Sequence, residues 1–115
     1  SKQYKAEEVD FGQMPPRCSC EAILRPNFIF FGEGIPKQAM MLSFYEAQVA
    51  DVFLVIGTTG EVMPACQVPL HAKERGCKII EINPEPSAFT PGATDIHLKG
   101  KATEMMNRLT EEILA

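Results

Sequence analysis

The sequence has no apolar run that approaches the length needed to cross a bilayer. Its polar N-terminus, residues 1–5, has no apolar signal-peptide segment behind it. Cysteine is too scarce, at 4 of 115 residues, for a typical secreted disulfide scaffold. The 11 Lys and Arg against 15 Asp and Glu, a net charge of −4, argue against nonspecific nucleic-acid binding. We therefore expect an intracellular, cytoplasmic protein without membrane or nucleic-acid partners.

Two common nucleotide-binding motifs are also absent. The chain contains neither the Gly-x-Gly-x-x-Gly fingerprint of ordinary dehydrogenases nor the Walker loop of P-loop proteins. Apolar residues nevertheless make up 45% of the sequence and charged residues 23%, as in globular chains rather than disordered ones. The length is that of one ordinary domain and suffices to bury a core.

Hydrophobic periodicity predicts alternating strands and helices after a polar arm over residues 1–16. Strands are predicted over residues 28–31, 52–56, 78–82 and 96–98, the first of them covered on both faces. Helices are predicted over residues 36–50, 64–75 and 101–114, and a loop over residues 84–94. Pro69 lies inside the second helix and is expected to bend or shorten it. This order predicts an α/β fold with a mostly parallel sheet and helices on its faces.

Two of the predicted strands end in residues that suit a ligand at the carboxyl edge of a parallel sheet. Residues 57–60, Gly-Thr-Thr-Gly, combine close backbone approach with two hydroxyl groups and precede a helix N-terminus, which favours a phosphate. Asn83, after the next strand, stands where a polar side chain often holds a ribose hydroxyl. Each has a plainer interpretation: residues 57–60 as a tight turn, and Asn83 as the start of a turn before Pro84.

The four cysteines divide into one close pair and two separated residues. Cys18 and Cys20 could supply two thiolates to a tetrahedral zinc ion, but a structural zinc site needs four ligands. The alternative is that they are two incidental thiols. Cys66 falls in a predicted helix and Cys77 precedes a strand, and we expect both to be small core residues.

From residue 16 onward the chain resembles the sirtuin family of NAD-dependent protein deacylases. Residues 17–27, RCSCEAILRPN, resemble the second half of the sirtuin zinc ribbon and its exit, and residues 28–33, FIFFGE, resemble the substrate strand. Residues 50–59, 61–65, 80–85 and 95–102 match, in family order, the strands and turns of the NAD-binding half. Six ordered segments make the resemblance specific.

The resemblance implies a fold, a cofactor and two sets of binding residues. Residues 26–115 would form the C-terminal half of a Rossmann-like NAD-binding domain with helices on both faces, after part of a zinc-ribbon module in residues 1–25. The residues implied on the adenosine and phosphate side of NAD are Gly57, Thr58, Thr59, Val62, Asn83, Pro84, Glu85, Gly100, Lys101 and Ala102. Those implied at the acyl-lysine peptide are Ile29, Phe30, Phe31, Gly32 and Glu33. Cys18 and Cys20 are implied as half of the ligands of a structural zinc.

Four family elements are missing, and all would lie upstream of residue 1: the G-A-G-x-S loop, the Q-N-x-D motif, the His-Gly catalytic histidine and the first cysteine pair. The implied reaction transfers the acyl group to ADP-ribose and needs a histidine base that reaches the ribose. Neither His71 nor His97 is followed by glycine, and we expect both at the surface or as caps. The chain is therefore expected to hold no catalytic residue and to be inactive alone. Smaller departures are Thr59 in place of Ser and a C-x-C spacing one residue short of C-x-x-C.

Three functions stay open on the sequence. The first is part of a deacylase whose other half lies elsewhere, the second is a non-catalytic module that binds NAD or ADP-ribose, and the third is a thiol or metal-binding protein. The implied partners are an acylated-lysine protein or peptide, and either the missing N-terminal half or a second copy joined through an open sheet edge. Because such edges recruit partners, we expect the isolated chain to be marginally stable, to aggregate or to self-associate.

Overall fold

Residues 2–115 are described by the computed structural model of the chain. Their contacts separate into two compact units, of which one ends at Gly34 and the other spans Ile35–Ala115. The larger unit carries three strands and three helices, whereas the described part of the smaller one contains a single short 3-10 helix, Ala6–Glu8. None of the helices within residues 2–115 is long and apolar enough to span a membrane.

The sheet of the larger unit has three parallel strands in the order β1-β2-β3, namely β1 (Val52–Ile56), β2 (Lys78–Asn83) and β3 (Ile96–Lys99). Runs of β-branched and other apolar residues, such as the uncharged VFLVI of β1, suit strands that are covered by other layers. In the register of the sheet, Leu54 lies beside Ile80. The parallel α/β fold predicted from the sequence is confirmed.

Three helices accompany the sheet: α1 (Lys37–Val49), α2 (Gln67–Glu74) and α3 (Ala102–Leu114). α1 packs on α2, α2 contacts β1 and β2, and α3 contacts β2. α2 begins at Gln67 rather than at residue 64, so Pro69 lies in its first turn, where a missing N–H breaks no helical hydrogen bond. Gly76, with a φ of +92°, follows the helix in the left-handed conformation that ends it.

Small and branched side chains form the core between the helices and the sheet. Ala47 of α1 and Ala72 of α2 are fully buried. Their small side chains let the two helices approach each other and the strands closely. The core cluster consists of Ala47, Val55, Ala72, Cys77, Ile79, Phe89 and Ala93. Cys77 is buried and Cys66 is half-buried against this cluster, as the sequence predicted for both.

β1 is covered on one face only. Phe53 is half-buried and Val55 is buried, whereas Val52, Leu54 and Ile56 on the opposite face are 53%, 39% and 40% exposed. Within the described residues, no strand pairs with the outer edge of β1. An uncharged strand therefore leaves both an apolar face and a free edge open, which is the arrangement that recruits partners.

The prediction of a strand over residues 28–31 is wrong. These residues belong to the smaller unit, form no strand and have exposed side chains. Glu33 accounts for the difference, since its N–H donates to the Phe30 carbonyl at 3.0 Å and its carboxylate accepts the Phe30 N–H at 3.0 Å. Both backbone groups of Phe30 are thereby used in a turn instead of a ladder.

Candidate functional site

Asn83 connects the carboxyl ends of the three strands at one edge of the sheet. Its side-chain Nδ2 donates to the backbone carbonyl of Thr58 at 2.8 Å, in the turn after β1. Its own carbonyl accepts the N–H of Gly100 at 3.3 Å, in the turn after β3. Residues that the sequence placed at three separate turns are therefore brought together, because parallel strands end on the same side of a sheet.

The turn over residues 57–60 leaves open space beside its first glycine. Gly57 has a φ of +62°, and apart from its chain neighbours no atom lies within 4 Å of the point where a Cβ would stand. The Thr58 hydroxyl accepts the Gly60 N–H at 3.1 Å, and Thr59 is exposed. A ligand can approach this backbone closely and meet the Thr59 hydroxyl.

Gly60 lies against the loop that joins β2 to β3. Its φ is +77°, and a Cβ at this position would stand 2.7 Å from the ring of Phe89. Ala88 of the same loop donates its N–H to the carbonyl of Thr59 at 2.9 Å. The turn is thus supported from behind by residues 88–89, and glycine is needed at position 60 both for its conformation and for the close contact.

His97 joins the same group of residues, which the sequence did not indicate. Its Nε2 lies 3.0 Å from the Asn83 carbonyl, and because a carbonyl only accepts, this nitrogen carries the hydrogen. His97 was expected at the surface or as a cap, but it is half-buried beside Glu81 on the face of the sheet that also holds Asn83. Alternation along β3 was the available signal for this placement.

The other predicted cofactor residues are exposed and are not tied into this hydrogen-bonded group: they are Val62, Pro84, Glu85, Lys101 and Ala102. Lys101 and Ala102 stand at the start of α3. Gly100 is backed by α3, because a Cβ there would lie 2.9 Å from the side chain of Met105. The structure therefore joins Thr58, Asn83 and Gly100 and leaves the other residues exposed.

A cavity of about 360 Å³ follows the outer edge of β1 and reaches the turn after it. Its lining includes residues 53–56 from both faces of the strand, together with Thr58, Gly60 and Val62. The remaining lining is mostly apolar and comes from the segment around the start of α2, from Phe89 and from Ser43 of α1. The cavity is thus the uncovered strand edge, and it adjoins the polar groups at the carboxyl end of β1.

Arg25 and Glu33 organise the predicted peptide segment, which lies in the smaller unit. Nη1 and Nη2 of Arg25 each donate to a different carboxylate oxygen of Glu33 at 2.8 Å. These bonds, with the Phe30 N–H, lower the pKa of Glu33 to about 2. Ile29, Phe31 and Gly32 are exposed, so residues 29–33 form an apolar surface segment held at its end by an ion pair.

Cys18 and Cys20 are joined by a disulfide, and the Cys20 N–H donates to the Cys18 sulfur at 3.1 Å. Residues 2–115 contain no group of three or more His, Cys, Asp or Glu side chains placed to hold a metal ion. Two sulfur atoms are half of the four ligands that a structural zinc takes. The described residues therefore do not make a zinc site by themselves.

The strand-end geometry defines a class of protein. Glycine turns with hydroxyl and amide groups at the carboxyl ends of parallel strands are typical of a Rossmann-like nucleotide-binding fold. The donor set fits such a ligand, because Gly57 leaves room for a phosphate beside the backbone, and Thr59 and Asn83 carry the polar groups that phosphate and ribose oxygens need.

A protein-family model described as "Sir2 family" matches residues 1–64, and the chain belongs to this family, which confirms the resemblance to sirtuins. The chain is 48% identical over 117 aligned positions to the "NAD-dependent protein deacylase" of Pyrococcus furiosus, a match that covers 97% of this chain and 46% of that protein. The "NAD-dependent protein deacylase 2" of Pyrobaculum aerophilum is 46% identical over 102 residues, which are 88% of this chain and 41% of the relative. The chain thus spans less than half the length of these relatives.

A solved structure of a mutant Sir2 homologue in complex with ADP ribose superposes with a TM-score of 0.83 at 38% identity, over 96% of this chain and 44% of that one. Here too the similarity extends over nearly all of this chain and under half of the neighbour. The Rossmann-like fold and the membership of the family therefore agree.

Proposed function

We propose that this chain forms the peptide-binding segment and the adenosine side of the NAD site of a protein lysine deacylase. The observation that carries the proposal is the hydrogen-bonded group of Asn83, Thr58 and Gly100, which brings three turns to one edge of a parallel sheet. Family membership supports NAD as the ligand, since relatives are named NAD-dependent deacylases and a neighbour was solved with ADP ribose.

In this proposal the open backbone at Gly57 and the hydroxyl of Thr59 bind phosphate oxygens, and Asn83 with Glu85 meets the adenosine ribose. Val62, Pro84, Lys101 and Ala102, exposed around these groups, complete the cofactor contacts. When bound, NAD supplies the ribose to which the acyl group is transferred. The residues of this chain orient the adenosine end and perform no proton transfer.

The peptide segment is proposed to bind by strand addition, in which backbone hydrogen bonds give affinity with little demand on sequence. Residues 29–33 are exposed and apolar, which suits the neutral side chain of an acylated lysine better than a charged lysine. The Arg25–Glu33 ion pair would hold the end of this segment in place. A Sir2 structure bound to a propionylated peptide supports an acylated peptide as the partner; it is 28% identical to this chain with a TM-score of 0.73, over 84% of this chain and 41% of its own length.

We propose that the chain alone does not catalyse, because neither of its histidines is placed as a general base. His97 uses Nε2 to contact the Asn83 carbonyl, and His71 packs its ring edge-on against Phe44. A base must reach the proton that it removes. The base, with the rest of the cofactor site, would come from the remaining part of a family protein or from another chain that covers the free edge of β1.

For zinc, Cys18 and Cys20 are proposed as one ligand pair in a small module, which the sequence placed over residues 1–25 and which lies within the compact unit that ends at Gly34. Because no third His, Cys, Asp or Glu among the described residues is placed to share a metal ion with this pair, we propose that the second pair comes from another segment or chain. The expected result is zinc retained by the reduced complex with such a partner and not by the reduced chain alone. Equal zinc content with and without the partner would contradict this assignment.

Calorimetric titration with ADP-ribose tests the cofactor proposal. The wild-type chain should bind ADP-ribose, and both Asn83→Ala and Thr59→Val should weaken binding by about tenfold, which is the effect of one lost hydrogen bond to a charged or polar ligand. Thr110→Val, a matched change on exposed α3, should leave binding unchanged. No binding by a folded wild-type chain would refute the proposal.

A deacylation assay then separates the enzyme from the non-catalytic module. An acetyl-lysine peptide and NAD are supplied to the chain alone and to the chain mixed with the complementary segment of a family relative. Activity only in the mixture supports part of a deacylase. ADP-ribose binding without activity in a mixture that forms a stable complex would favour the non-catalytic module instead.

A further inference from the structure

Glu81, in the middle of β2, is the one fully buried charged side chain among residues 2–115. It lies between Val55 of β1 and His97 of β3 in the register of the sheet. A carboxylate without solvent is costly unless hydrogen bonds replace its hydration. Its presence in the middle of a mostly apolar sheet therefore requires a reason that packing does not supply.

Both side-chain hydrogen bonds of Glu81 lead into the connection between β2 and β3. The hydroxyls of Thr90 and Thr94 donate to its Oε2 at 2.8 and 2.7 Å, whereas Oε1 has no partner among the described residues. The Thr90 oxygen in turn accepts the N–H of Ser87 at 2.8 Å. Burial opposes ionisation, but the nearby hydroxyl groups of Ser87, Thr94 and Thr90, together with His97, outweigh it, so the pKa of Glu81 lies below its usual value.

This connection, residues 84–95, carries no helix or strand of its own. Parallel strands are usually joined by a helix, which satisfies its own backbone. Here the Phe89 carbonyl accepts the N–H groups of Ala93 and Thr94 at 2.8 and 3.1 Å, and the two threonines attach the loop to Glu81. The buried carboxylate thus takes the place of regular structure as the support of the loop.

The same loop supports the turn at the candidate cofactor site. Ala88 donates its N–H to the Thr59 carbonyl at 2.9 Å, and Phe89 packs on Gly60 so closely that a Cβ there would stand 2.7 Å from the ring. A continuous path of hydrogen bonds and contacts therefore runs from Glu81 through Thr90 and the loop to the turn.

We propose that Glu81 is a positioning residue for the nucleotide-binding turn, acting through Thr90, Thr94 and the loop that backs residues 57–60. The effect on ADP-ribose binding rests on the proposed function. The claim that Glu81 holds the turn in place does not depend on it. The Glu81 carboxylate bonds to Thr90 and Thr94 rather than to residues 57–60, and it does not enter the space beside Gly57, so its effect on binding passes through the loop. The unpartnered Oε1 makes glutamine a conservative replacement: its oxygen can keep both hydroxyl bonds while its amide nitrogen takes the position that has no partner.

The test compares paired variants of the full 115-residue chain: Glu81→Leu with Glu81→Gln, and Thr94→Val with Thr94→Ser. Amide hydrogen exchange is followed at Ala88 and Gly60, whose N–H groups report on the loop and the turn, and at Lys78, whose N–H bonds the Asp51 carbonyl away from both. Glu81→Leu and Thr94→Val should speed exchange at Ala88 and Gly60 by about tenfold and leave Lys78 unchanged, since a hydrogen bond to a charged group is worth about that factor or more. The Gln and Ser variants should restore protection to within about threefold of the wild type, because they keep the hydroxyl–oxygen bonds.

The affinity for ADP-ribose, measured on the same variants, should follow the exchange: about tenfold weaker for Glu81→Leu and Thr94→Val, and restored by the conservative partner. Thr110→Val, on α3, controls for the loss of a threonine hydroxyl. Unchanged protection of Ala88 and Gly60 in folded Thr94→Val would overturn the inference, and so would loosened amides with unchanged affinity. If Glu81→Leu does not fold, the threonine pair decides. If the wild type binds no ADP-ribose, the proposed function fails, while the exchange data still decide whether Glu81 positions the turn.

Discussion

The side-chain amide of Asn83, at the end of β2, donates a 2.8 Å hydrogen bond to the backbone carbonyl of Thr58, in the turn that follows β1. The two residues are far apart in sequence and adjacent in space because β1 and β2 are parallel neighbours. The bond orients the glycine turn relative to the next strand end. A candidate site that depends on two separate loops is thereby held in one geometry.

Removal of the hydrogen bond between Asn83 and Thr58 should lower the stability of the fold. Asn83→Ala leaves the half-buried Thr58 carbonyl without its partner, so we expect a loss of about 1 kcal/mol in the free energy of unfolding. Chemical denaturation followed by circular dichroism measures it. Asn107→Ala, an exposed position on α3, is the matched control and should change stability by less than about 0.5 kcal/mol. Equal effects of the two substitutions would show that the bond contributes nothing.

Three glycine-to-alanine substitutions separate backbone strain from steric contact. Gly57→Ala forces alanine into the left-handed conformation without a steric clash, and it should lower the free energy of unfolding by about 1 to 2 kcal/mol. Gly60→Ala adds a clash with the Phe89 ring and should cost about 2 to 5 kcal/mol. Gly92→Ala has neither problem and should lie within about 0.5 kcal/mol of the wild type. Thermal unfolding of the three variants gives the order, and a Gly60 variant no worse than the Gly57 variant would argue against close packing of Phe89.

Asp95 should make the larger unit sensitive to acid. Its carboxylate accepts Lys73 Nζ at 2.7 Å and the Ile79 N–H at 2.8 Å, and these bonds lower its pKa from 3.8 to about 2. Because the folded pKa is depressed, the stabilisation is complete above the unfolded value and is lost as the pH falls from about 4 to about 2.

The measurement is denaturant unfolding from pH 6 to pH 2 for the wild type and for Asp95→Asn. The variant should be less stable at pH 6 and should lose less stability on acidification, so that the two curves converge near pH 2. Glu104→Gln, an exposed carboxylate on α3, should follow the wild type. Parallel curves for the wild type and Asp95→Asn would contradict the role of the Lys73–Asp95 ion pair. Glu33 in the smaller unit, with a pKa of about 2, contributes equally to the two curves.

The free edge and face of β1 should drive association of the isolated chain. Leu54 and Ile56 are partly exposed on a strand that carries no charge, so sedimentation velocity should show oligomers that grow with concentration. Leu54→Lys should shift the distribution toward monomer, because it places a charge on the association surface, whereas Asn107→Lys adds the same charge on α3 and should not. A wild-type chain that stays monomeric at high concentration would refute this expectation.

Local sequence predicted the secondary structure well where the elements carry their own signals. β1 is an uncharged apolar run bounded by Asp51 and Gly57, and its predicted bounds are those observed. The segment over residues 28–31 is equally apolar but is no strand, because Glu33 closes a turn on Phe30 instead. An apolar run indicates that a segment favours burial. Its hydrogen-bonding partners determine whether it becomes a strand.

The same division applies to the candidate site. The motifs at residues 57–60 and at Asn83 indicated the turns and, by resemblance, the family, because glycine conformation and polar side chains are local properties. Sequence reasoning did not find His97 beside Asn83, Glu81 beneath the loop, or the contact of Phe89 with Gly60. Each of these depends on the register of strands and on a loop without regular structure, neither of which a single segment encodes.

The sequence by itself determined the α/β order of elements, the glycine turns and the membership of the family. The tertiary structure decided that Asn83 binds Thr58, that a buried carboxylate supports the loop between β2 and β3, and that β1 keeps one face and one edge uncovered. The physical reason is that propensity and turn conformation act over a few residues, whereas burial and hydrogen bonding between strand ends exist only once distant segments have packed together.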